Sequence, residues 1–309
     1  MNRLVGLLKK PYFLLLLIFL LALILRFYKL AFFPVGFHID EAMLGDTAYS
    51  LLLTGKDYDG NFLPHSVQVF NDYIPAGYHY LTILPVKLFG FTEFATRFTG
   101  ALFGSFTVVS MYFLVQAIFK RTELSLITAL LVAIAPWHIV MSRSSSETLL
   151  SLFFIISGFA CLLYSLEKDN IRLLLLSILF LVSSFFIYHT PRIFVPLMFL
   201  AVLVVHFWNY KKKKITHQKL WIGAFIAISL VSFYLVFFLG GGTNRFNQTS
   251  IFSQPETQLV LAEQIREDGV VGVPVLVART FHNKVINYSQ TFLSNYLEYF
   301  TSDFLFFDG

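Results

Sequence analysis

Two adjacent carboxylates, Asp40 and Glu41, stand a few residues beyond the end of a long apolar segment. Carboxylates at a membrane boundary are costly unless water, a metal ion or a cation accompanies them. Neighbouring residues of a helix point about 100° apart, so one carboxylate can face a cavity while the other caps, pairs or ligates. The one that faces a cavity is suited to take a proton from an attacking hydroxyl. Alternatively, Asp40 simply caps a surface helix and Glu41 lies in its first turn.

Two arginines lie at other junctions between apolar segments. Arg143 and Glu147 are four residues apart, a spacing that puts two side chains on one helix face. The Arg143 guanidinium is suited to an anionic headgroup, or equally to an interfacial ion pair with Glu147. Arg192 follows Pro191, which can begin a helix. A cation in that first turn gains nothing from the helix dipole and is better placed to hold an external anion.

Other polar residues are weaker candidates. His38, His79 and His189 lack the HxxxH or HExxH spacing of zinc sites, so each is more simply a hydrogen-bonding residue. His189 is nevertheless a candidate ligand because it belongs to the same junction as Arg192. Cys161 is the single cysteine, which excludes an intrachain disulfide and a cysteine zinc site.

The composition explains where these residues must lie. Hydrophobic residues make up 57% of the 309 residues and charged residues only 13%, against about 25% charged in average soluble domains. This excludes a soluble globular domain, a disordered chain and a secreted disulfide scaffold, and it indicates an all-α polytopic membrane protein. The net charge of +5 is scattered in short clusters with no basic face interleaved with aromatic residues, so no nucleic-acid partner is expected.

Apolar segments of about 20 residues, the length that crosses a bilayer core of about 30 Å, predict seven spans. They are Tyr12–Leu30, Phe98–Phe119, Leu124–Met141, Thr148–Leu166, Ile171–Tyr188, Ile193–Trp208 and Leu220–Leu239. The first is too long for a signal peptide and lacks a small-residue cleavage site, so it is interpreted as a retained anchor.

Basic residues predict the orientation of these spans. The loops that carry them all fall on one side, which the positive-inside rule assigns to the cytoplasm together with the N-terminus. These residues are Arg3, Lys9, Lys10, Lys120, Arg121, Lys168, Arg172, the run Lys211–Lys214 and Lys219. The carboxylate pair, Arg143 and Arg192 then share the outer side.

The long outer segment, about residues 31–97, separates the first two spans. Ala42–Leu53 carries apolar residues at helical spacing, which predicts a helix along the membrane surface. Tyr73–Phe89 is apolar but interrupted by Pro75 and Pro85, a pattern typical of a re-entrant or interfacial element.

Several motifs, in this order and spacing, resemble the C-type membrane glycosyltransferases, with glycosyltransferase family 39 as the best match. That family includes protein O-mannosyltransferases and the lipid A aminoarabinose transferase. The motifs are Arg26 with Phe33-Pro34, His38-Ile39-Asp40-Glu41-Ala42 with Gly45, Gly55-Lys56-Asp57 with Gly60 and Pro64, Tyr73-Ile74-Pro75-Ala76-Gly77-Tyr78, Leu88-Phe89-Gly90 with Arg97, Ala135-Pro136-Trp137-His138 with Ser142-Arg143 and Glu147, and Tyr188-His189-Thr190-Pro191-Arg192. They cover nearly all of residues 10–240.

The resemblance implies a transmembrane catalytic module that moves a sugar from a polyprenyl-phosphate carrier to an acceptor on the extracytoplasmic face, at the plasma (inner) membrane. Asp40 matches the family's catalytic base, and Glu41 supports it. We assign Arg143 and Arg192 to the departing lipid phosphate by charge and side. Inversion at the anomeric carbon follows from direct attack by a hydroxyl.

Further residues complete the predicted substrate site. Asp72 stands where some relatives have an acidic residue followed by lysine, but Tyr73 replaces that lysine here, which weakens the aminoarabinose subtype. The remaining substrate-binding candidates are Arg97, Glu147 and His189. A divalent cation, Mg²⁺ or Mn²⁺, held near Asp40 or Asp72 would assist the leaving phosphate. The acceptor, whether protein, lipid or glycan, and the sugar stay open.

Two other functions compete with the transferase. A secondary transporter would place ionisable residues near the midplane on broken helices, whereas the charges here collect at segment ends. A non-catalytic membrane scaffold of envelope assembly would leave the acids and arginines without a shared cavity. We further expect residues 1–240 to form the catalytic module and residues 241–309 to begin an outer segment that is truncated.

Overall fold

The computed structural model describes residues 11–69, 72–209, 218–238, 250, 255–272 and 274–301. The side chains of residues 72, 209, 218 and 255–258 lie outside this description. The chain forms two compact units, Met1–Gly240 and Gly241–Gly309, which are considered separately. The basic residues Arg3, Lys9, Lys10 and Lys211–Lys214 lie outside the described residues.

The first unit consists of helices and one small antiparallel sheet. In chain order they are α1 Pro11–Phe27, α2 Ile39–Thr54, β1 Ser66–Val69, β2 Asp72–Pro75, α3 Gly77–Phe89, α4 Glu93–Phe119, α5 Thr122–Ile134, α6 Pro136–Arg143, α7 Glu147–Lys168, α8 Ile171–Phe185, α9 Pro191–Asn209 and α10 Gln218–Phe237. Each predicted span is therefore mostly helical over its described residues.

Length and composition support fewer membrane crossings than the seven predicted. In the described part of the chain, four helices are long and apolar enough to cross a bilayer: α4, α7, α9 and α10. The pair α5 and α6 would make a fifth. Helices α1 and α8 are apolar but shorter, with 17 and 15 residues. The chain is thus a largely helical multi-pass protein with four or five candidate spans.

The predicted span Leu124–Met141 is wrong as a single straight helix. It is divided at Ala135 into α5 and α6, whose axes differ by 55°. Pro136 cannot donate a backbone hydrogen bond and disfavours helical geometry in the residue before it. Ala135 accordingly adopts extended angles, φ −60° and ψ 120°. The break turns α6 toward the end of α1, where its side chains contribute to the site described below.

Two apolar clusters hold the first unit together. One joins α7, α8, α9 and α10 through residues such as Phe159, Leu181, Phe199 and Trp221. The other joins α1, α4 and α5 through residues such as Leu15, Val108 and Ala129. Burial of such side chains removes apolar area from water or lipid and brings the helix ends into fixed positions.

The long outer segment is ordered as α2, the β1–β2 sheet and α3. The predicted surface helix at Ala42–Leu53 is confirmed as a helix, and it ends at Gly55 in the left-handed conformation, φ 71°. The predicted element Tyr73–Phe89 is in fact strand β2 followed by helix α3. The sheet was not predicted, because its strands have only four residues each, with Val67 paired to Ile74.

Gly77 allows α3 to begin in direct contact with the end of α8. Its N–H donates to the carbonyl of Phe186 at 2.7 Å. A Cβ at this position would lie 2.4 Å from the same carbonyl oxygen. We expect Gly77→Ala to destabilise the protein by about 1–3 kcal/mol through this overlap, measured as thermal unfolding in detergent. Gly223→Ala in α10 has open space around it and should be neutral or stabilising; equal effects of the two variants would contradict the prediction.

The second unit contains three helices among its described residues. They are α11 Pro255–Val270, α12 Val275–Phe281 and α13 Lys284–Glu298. Asn283 caps α13 by accepting a hydrogen bond from the N–H of Ile286 at 3.0 Å.

Candidate functional site

A buried ion pair between Glu41 and Arg97 fixes the start of α2. The Arg97 guanidinium donates to both carboxylate oxygens, from Nε to Oε1 at 3.0 Å and from Nη2 to Oε2 at 2.9 Å. Neither side chain is more than 5% exposed. Such a bidentate contact fixes direction as well as charge, so Glu41 holds the start of α2 in place and is buried away from a substrate.

Arg97 also binds the segment that connects α1 to α2. It donates to the carbonyl oxygens of Leu30 at 3.3 Å and Gly36 at 2.6 Å, and it lies 5.3 Å from the centre of the Phe37 ring. The predicted substrate-binding role of Arg97 is therefore not supported by its contacts. A fully buried arginine with these partners connects α4 to the segment that carries the carboxylates.

Asp40 points away from this pair toward solvent. Its side chain is 60% exposed, and its Oδ2 lies 3.4 Å from Nδ1 of His38. The helix is capped by His38, whose Nδ1 accepts from the N–H of Asp40 and whose own N–H donates to Glu41 Oε2. The interpretation of Asp40 as the capping residue is therefore wrong. Of the two neighbouring carboxylates, Glu41 is buried in an ion pair and Asp40 is exposed.

Glu147 brings a second carboxylate to the same site. It is partly buried in the first turn of α7, after the N-cap Ser146, and its carboxylate interacts electrostatically with that of Asp40. Arg143 ends α6, so these two residues do not share a helix face as predicted. The tight turn between the helices, with Ser145 at φ 55°, separates them.

Tyr78 lies close to the carboxylates of Glu147 and Glu41. Its side chain is fully buried in α3, and within the described part of the chain its hydroxyl has no hydrogen-bond partner of good geometry. The hydroxyl adjoins Gly100 and Ser145 and is near Glu147. Burial, and then the negative charge of Glu147, raise the pKa of Tyr78 well above its ordinary value. Tyr78 was quoted in the sequence only as part of a motif; no spacing signal marked it as a site residue.

The Arg143 guanidinium is hydrogen-bonded to backbone carbonyls at and just after the end of α1. Its guanidinium donates to the carbonyls of Leu25 at 2.9 Å, Tyr28 at 2.9 Å and Phe33 at 3.0 Å, with longer contacts to Arg26 and Lys29. These carbonyls lack helical partners because the helix ends there. The prediction that Arg143 grips a phosphate therefore has no support in its contacts.

Arg192 has comparable partners at the other junction. It is buried and donates to the carbonyls of Phe185 at 3.1 Å and Leu235 at 3.4 Å. It thereby joins α8, α9 and α10 near their ends. Its assignment to the lipid phosphate is likewise unsupported, since its charge is directed to protein carbonyls.

Arg26 is a buried cation that sequence reasoning left without a role. It contacts Ser142 Oγ at 3.2 Å, His138 Nδ1 at 2.9 Å and the carbonyl of Ala133 at 3.1 Å. The carbonyl of Ala133 is free for this contact because the helix stops before Pro136. Arg26 therefore stabilises the break between α5 and α6 and orients α6.

The remaining predicted residues lie at the edge of the sheet. His189 Nε2 contacts the carbonyl of Tyr73 at 2.7 Å, and the Tyr73 hydroxyl donates to Gln68 Oε1 at 3.2 Å. The backbone of Asp72 belongs to β2, but its side chain lies outside the described residues. His189 thus connects the α8–α9 junction to the outer segment.

His79, on α3 beside Tyr78, is a buried imidazole. Burial lowers its pKa from the ordinary 6.5 to about 4. Between pH 4 and pH 6.5 the unfolded chain therefore binds more protons than the folded chain. The free energy of unfolding then falls as the pH decreases from about 6.5 toward 4, by up to about 3 kcal/mol. We expect His79→Leu to flatten this part of the pH–stability curve, measured by unfolding at a series of pH values; an unchanged slope would contradict the assignment.

The described residues contain no group of three or more His, Cys, Asp or Glu side chains placed to hold a metal ion. Asp40 and Glu147 offer two carboxylates. Mg²⁺ commonly binds through one or two carboxylates together with substrate phosphates and water. The donor set present is thus compatible with a cation that arrives with a phosphate-bearing substrate.

An apolar cavity opens beside Glu147. Its volume is about 190 Å³, and it lies between α6, α7 and α9, with Thr148, Leu152, Tyr188, Pro191 and Phe194 in its walls. Thr148 directly follows Glu147, so the cavity begins beside Glu147 along α7. An apolar wall next to exposed acidic groups suits an amphiphilic ligand.

Comparison with known families places this arrangement in context. Residues 74–237 match the family model of dolichyl-phosphate-mannose-protein mannosyltransferases, which is just over half of the chain. No curated protein sequence matched the chain. Asp40 and Glu41 precede the matched residues, so the family model does not test their roles.

The match confirms the family indicated by the sequence motifs and favours the transferase over a transporter or a scaffold. The family transfers sugars from polyprenyl-phosphate donors, and the apolar helices agree with a multi-pass membrane enzyme. The chain belongs to the dolichyl-phosphate-mannose-protein mannosyltransferase family of membrane glycosyltransferases.

Proposed function

We propose that this glycosyltransferase transfers a sugar from a polyprenyl-phosphate donor to an acceptor hydroxyl with inversion, using Asp40 as the general base. This proposal is supported most by the different environments of the two adjacent acids. Glu41 is buried against Arg97, whereas Asp40 is exposed at the helix start and within electrostatic reach of Glu147. A general base must come within hydrogen-bond reach of the proton that it takes, and an exposed carboxylate at a fixed helix start is accessible to an acceptor hydroxyl.

The proposed reaction is a single displacement. The acceptor hydroxyl oxygen attacks the anomeric carbon while Asp40 takes its proton. The bond between the anomeric carbon and the phosphate oxygen breaks, and its electron pair leaves with the polyprenyl phosphate. Because the nucleophile enters opposite the leaving group, the configuration at the anomeric carbon inverts.

Glu147 forms the other wall of the proposed sugar site, and Tyr78 lies behind it. A carboxylate would repel the donor phosphate, so we assign Glu147 to hydrogen bonds from sugar hydroxyls. Tyr78, buried and neutral beneath it, supports the turn at Ser145 that presents Glu147. With Arg143 and Arg192 directed to backbone carbonyls, a divalent cation bound by one or both carboxylates would compensate the phosphate charge.

The polyprenyl chain has a neighbouring apolar surface. We assign its first isoprene units to the cavity between α6, α7 and α9, because Thr148 and Tyr188 bring that cavity next to Glu147. The basic loops further favour an orientation with Asp40 on the extracytoplasmic face of the plasma (inner) membrane. The acceptor would then be a protein, lipid or glycan exported to that face.

The proposal is tested with the purified full chain in liposomes. Polyprenyl-phosphate mannose labelled in the sugar serves as donor, with a Ser/Thr-rich peptide and a lipid extract as separate acceptors. We expect label in one acceptor pool and, by NMR of the product, an anomeric configuration opposite to that of the donor. Retention of configuration would overturn the single displacement, and donor consumption without any labelled acceptor would overturn transfer to a hydroxyl.

A further inference from the structure

A larger cavity lies along α7, toward the end of that helix remote from Glu147. Its volume is about 500 Å³, and its walls come from α1, α4, α7 and α8. The lining is mainly apolar, with Phe106, Phe113, Phe153, Ala160 and Phe180 among its residues. The catalytic proposal above does not use this cavity.

The position of the cavity separates it from the proposed sugar site. Its walls extend along α7 from Phe153 to Lys168, the last residue of the helix. Glu147 is the first residue of α7, and at 1.5 Å per residue Lys168 lies about 30 Å from it along the axis. That distance is about the thickness of a hydrocarbon core, so Lys168 and Asp40 belong to opposite ends of the bundle.

Aromatic and cationic groups form the rim at that end. The phenol groups of Tyr12, Tyr112 and Tyr164 are close neighbours. The Lys168 ammonium lies 5.4 Å from the centre of the Tyr164 ring and, among the described residues, has no carboxylate partner. Lys120, on the other side of the same ring, pairs with Glu167. Lys168 is therefore a cation in the cavity wall whose charge is available to a ligand.

The cavity walls are suited to an apolar ligand. The hydroxyls of Ser110 and Ser157 are 2.7 Å apart and satisfy each other. Apolar cavities of this kind do not hold water, and in a bilayer the available apolar occupant is an acyl chain. Tyrosine and lysine at the rim are the residues that bind lipid headgroups at an interface.

We propose that this cavity binds one acyl chain of an anionic glycerophospholipid whose phosphate contacts Lys168. The site is distinct from the donor site because Lys168, which would bind the phosphate, lies at the end of the bundle remote from Asp40. Its occupant comes from the leaflet that does not present the sugar acceptor.

The single cysteine of the chain reports on occupancy, because Cys161 lines the cavity. The full chain is placed in nanodiscs of phosphatidylcholine, or of equal parts phosphatidylcholine and phosphatidylglycerol with the same acyl chains. Modification of Cys161 by a lipid-soluble maleimide is followed by intact mass. We expect labelling to be about fivefold slower with phosphatidylglycerol, the ratio expected when one lysine attracts a net anionic headgroup and not a zwitterionic one.

Two variants separate the proposed contact from general surface charge. Lys168→Gln should abolish the difference between the two lipids. Arg172→Gln removes an equal charge from an exposed residue at the same end that does not line the cavity, and it should preserve the difference. Native mass spectrometry should likewise show one phosphatidylglycerol retained by the unmodified chain and by Arg172→Gln, and none by Lys168→Gln.

Several results would overturn the proposal. They are equal labelling in both lipids, protection that persists in Lys168→Gln, or protection lost equally in Arg172→Gln. The last comparison measures Cys161 labelling in a third nanodisc, which contains polyprenyl phosphate in place of phosphatidylglycerol. If only polyprenyl phosphate protects Cys161, the cavity belongs to the donor carrier and the phospholipid assignment is wrong.

Discussion

Asp40→Asn should lower the rate of sugar transfer by about 10²- to 10⁴-fold while the protein stays folded and inserted in the membrane. This is the usual contribution of a positioned general base, and asparagine cannot accept the proton of the acceptor hydroxyl. Stability should change little because the side chain is 60% exposed and makes no buried ion pair. The measurement is transfer of labelled sugar in liposomes at saturating donor, together with the unfolding midpoint of the same preparation.

Asp46→Asn is the matched control for this variant. Asp46 is an exposed aspartate on the same helix, α2, and the substitution makes the same change in charge. It should leave the rate of transfer within about twofold of the unmodified protein, since a distant exposed charge is screened by solvent. Full activity of Asp40→Asn, or an equal loss in Asp46→Asn, would reject Asp40 as the base.

Glu41→Gln should destabilise the protein by about 3 kcal/mol, since it leaves the Arg97 guanidinium buried without its counter-charge. Glutamine preserves the size of the side chain, so the loss comes from charge and not from a cavity. For a chain of this size we expect the unfolding midpoint in detergent to fall by about 5–10 °C. Transfer activity should fall with the folded fraction, because the pair holds the backbone on which Asp40 is placed.

Glu93→Gln provides the comparison for the second prediction. Glu93 is an exposed glutamate in the first turn of α4, so its substitution also removes a carboxylate from a helix start, but outside any buried pair. It should cost less than about 1 kcal/mol. The double variant Glu41→Gln/Arg97→Met, which removes the buried charge altogether, should recover part of the loss. If Glu41→Gln were as stable as Glu93→Gln, the ion pair would not be what fixes α2.

The sequence predicted the helical character of the chain because apolar length alone determines it in a membrane. The described residues of the seven predicted spans are mostly helical, although Leu124–Met141 is broken at Ala135. The helix predicted at Ala42–Leu53 is present, with its start set by His38 and Glu41. In a bilayer the backbone N–H and C=O groups have no water to bond to, so they must form hydrogen bonds within their own segment. Long apolar segments are therefore helical, and hydropathy locates them. The motifs likewise indicated the family that the match of residues 74–237 confirms.

Only the tertiary structure decided what the charged residues do. Hydropathy and spacing could not show that Glu41 pairs with Arg97, 56 residues away, or that Arg143 is bound to the carbonyls at the end of α1, more than 100 residues earlier. Local patterns report the environment of a residue, whereas the partner of a buried charge depends on which helix ends the packing brings together. The sequence therefore determined the helices, the family and the location of the acids along the chain. The packing of α1, α2 and α4 decided that Asp40 is exposed and Glu41 is buried.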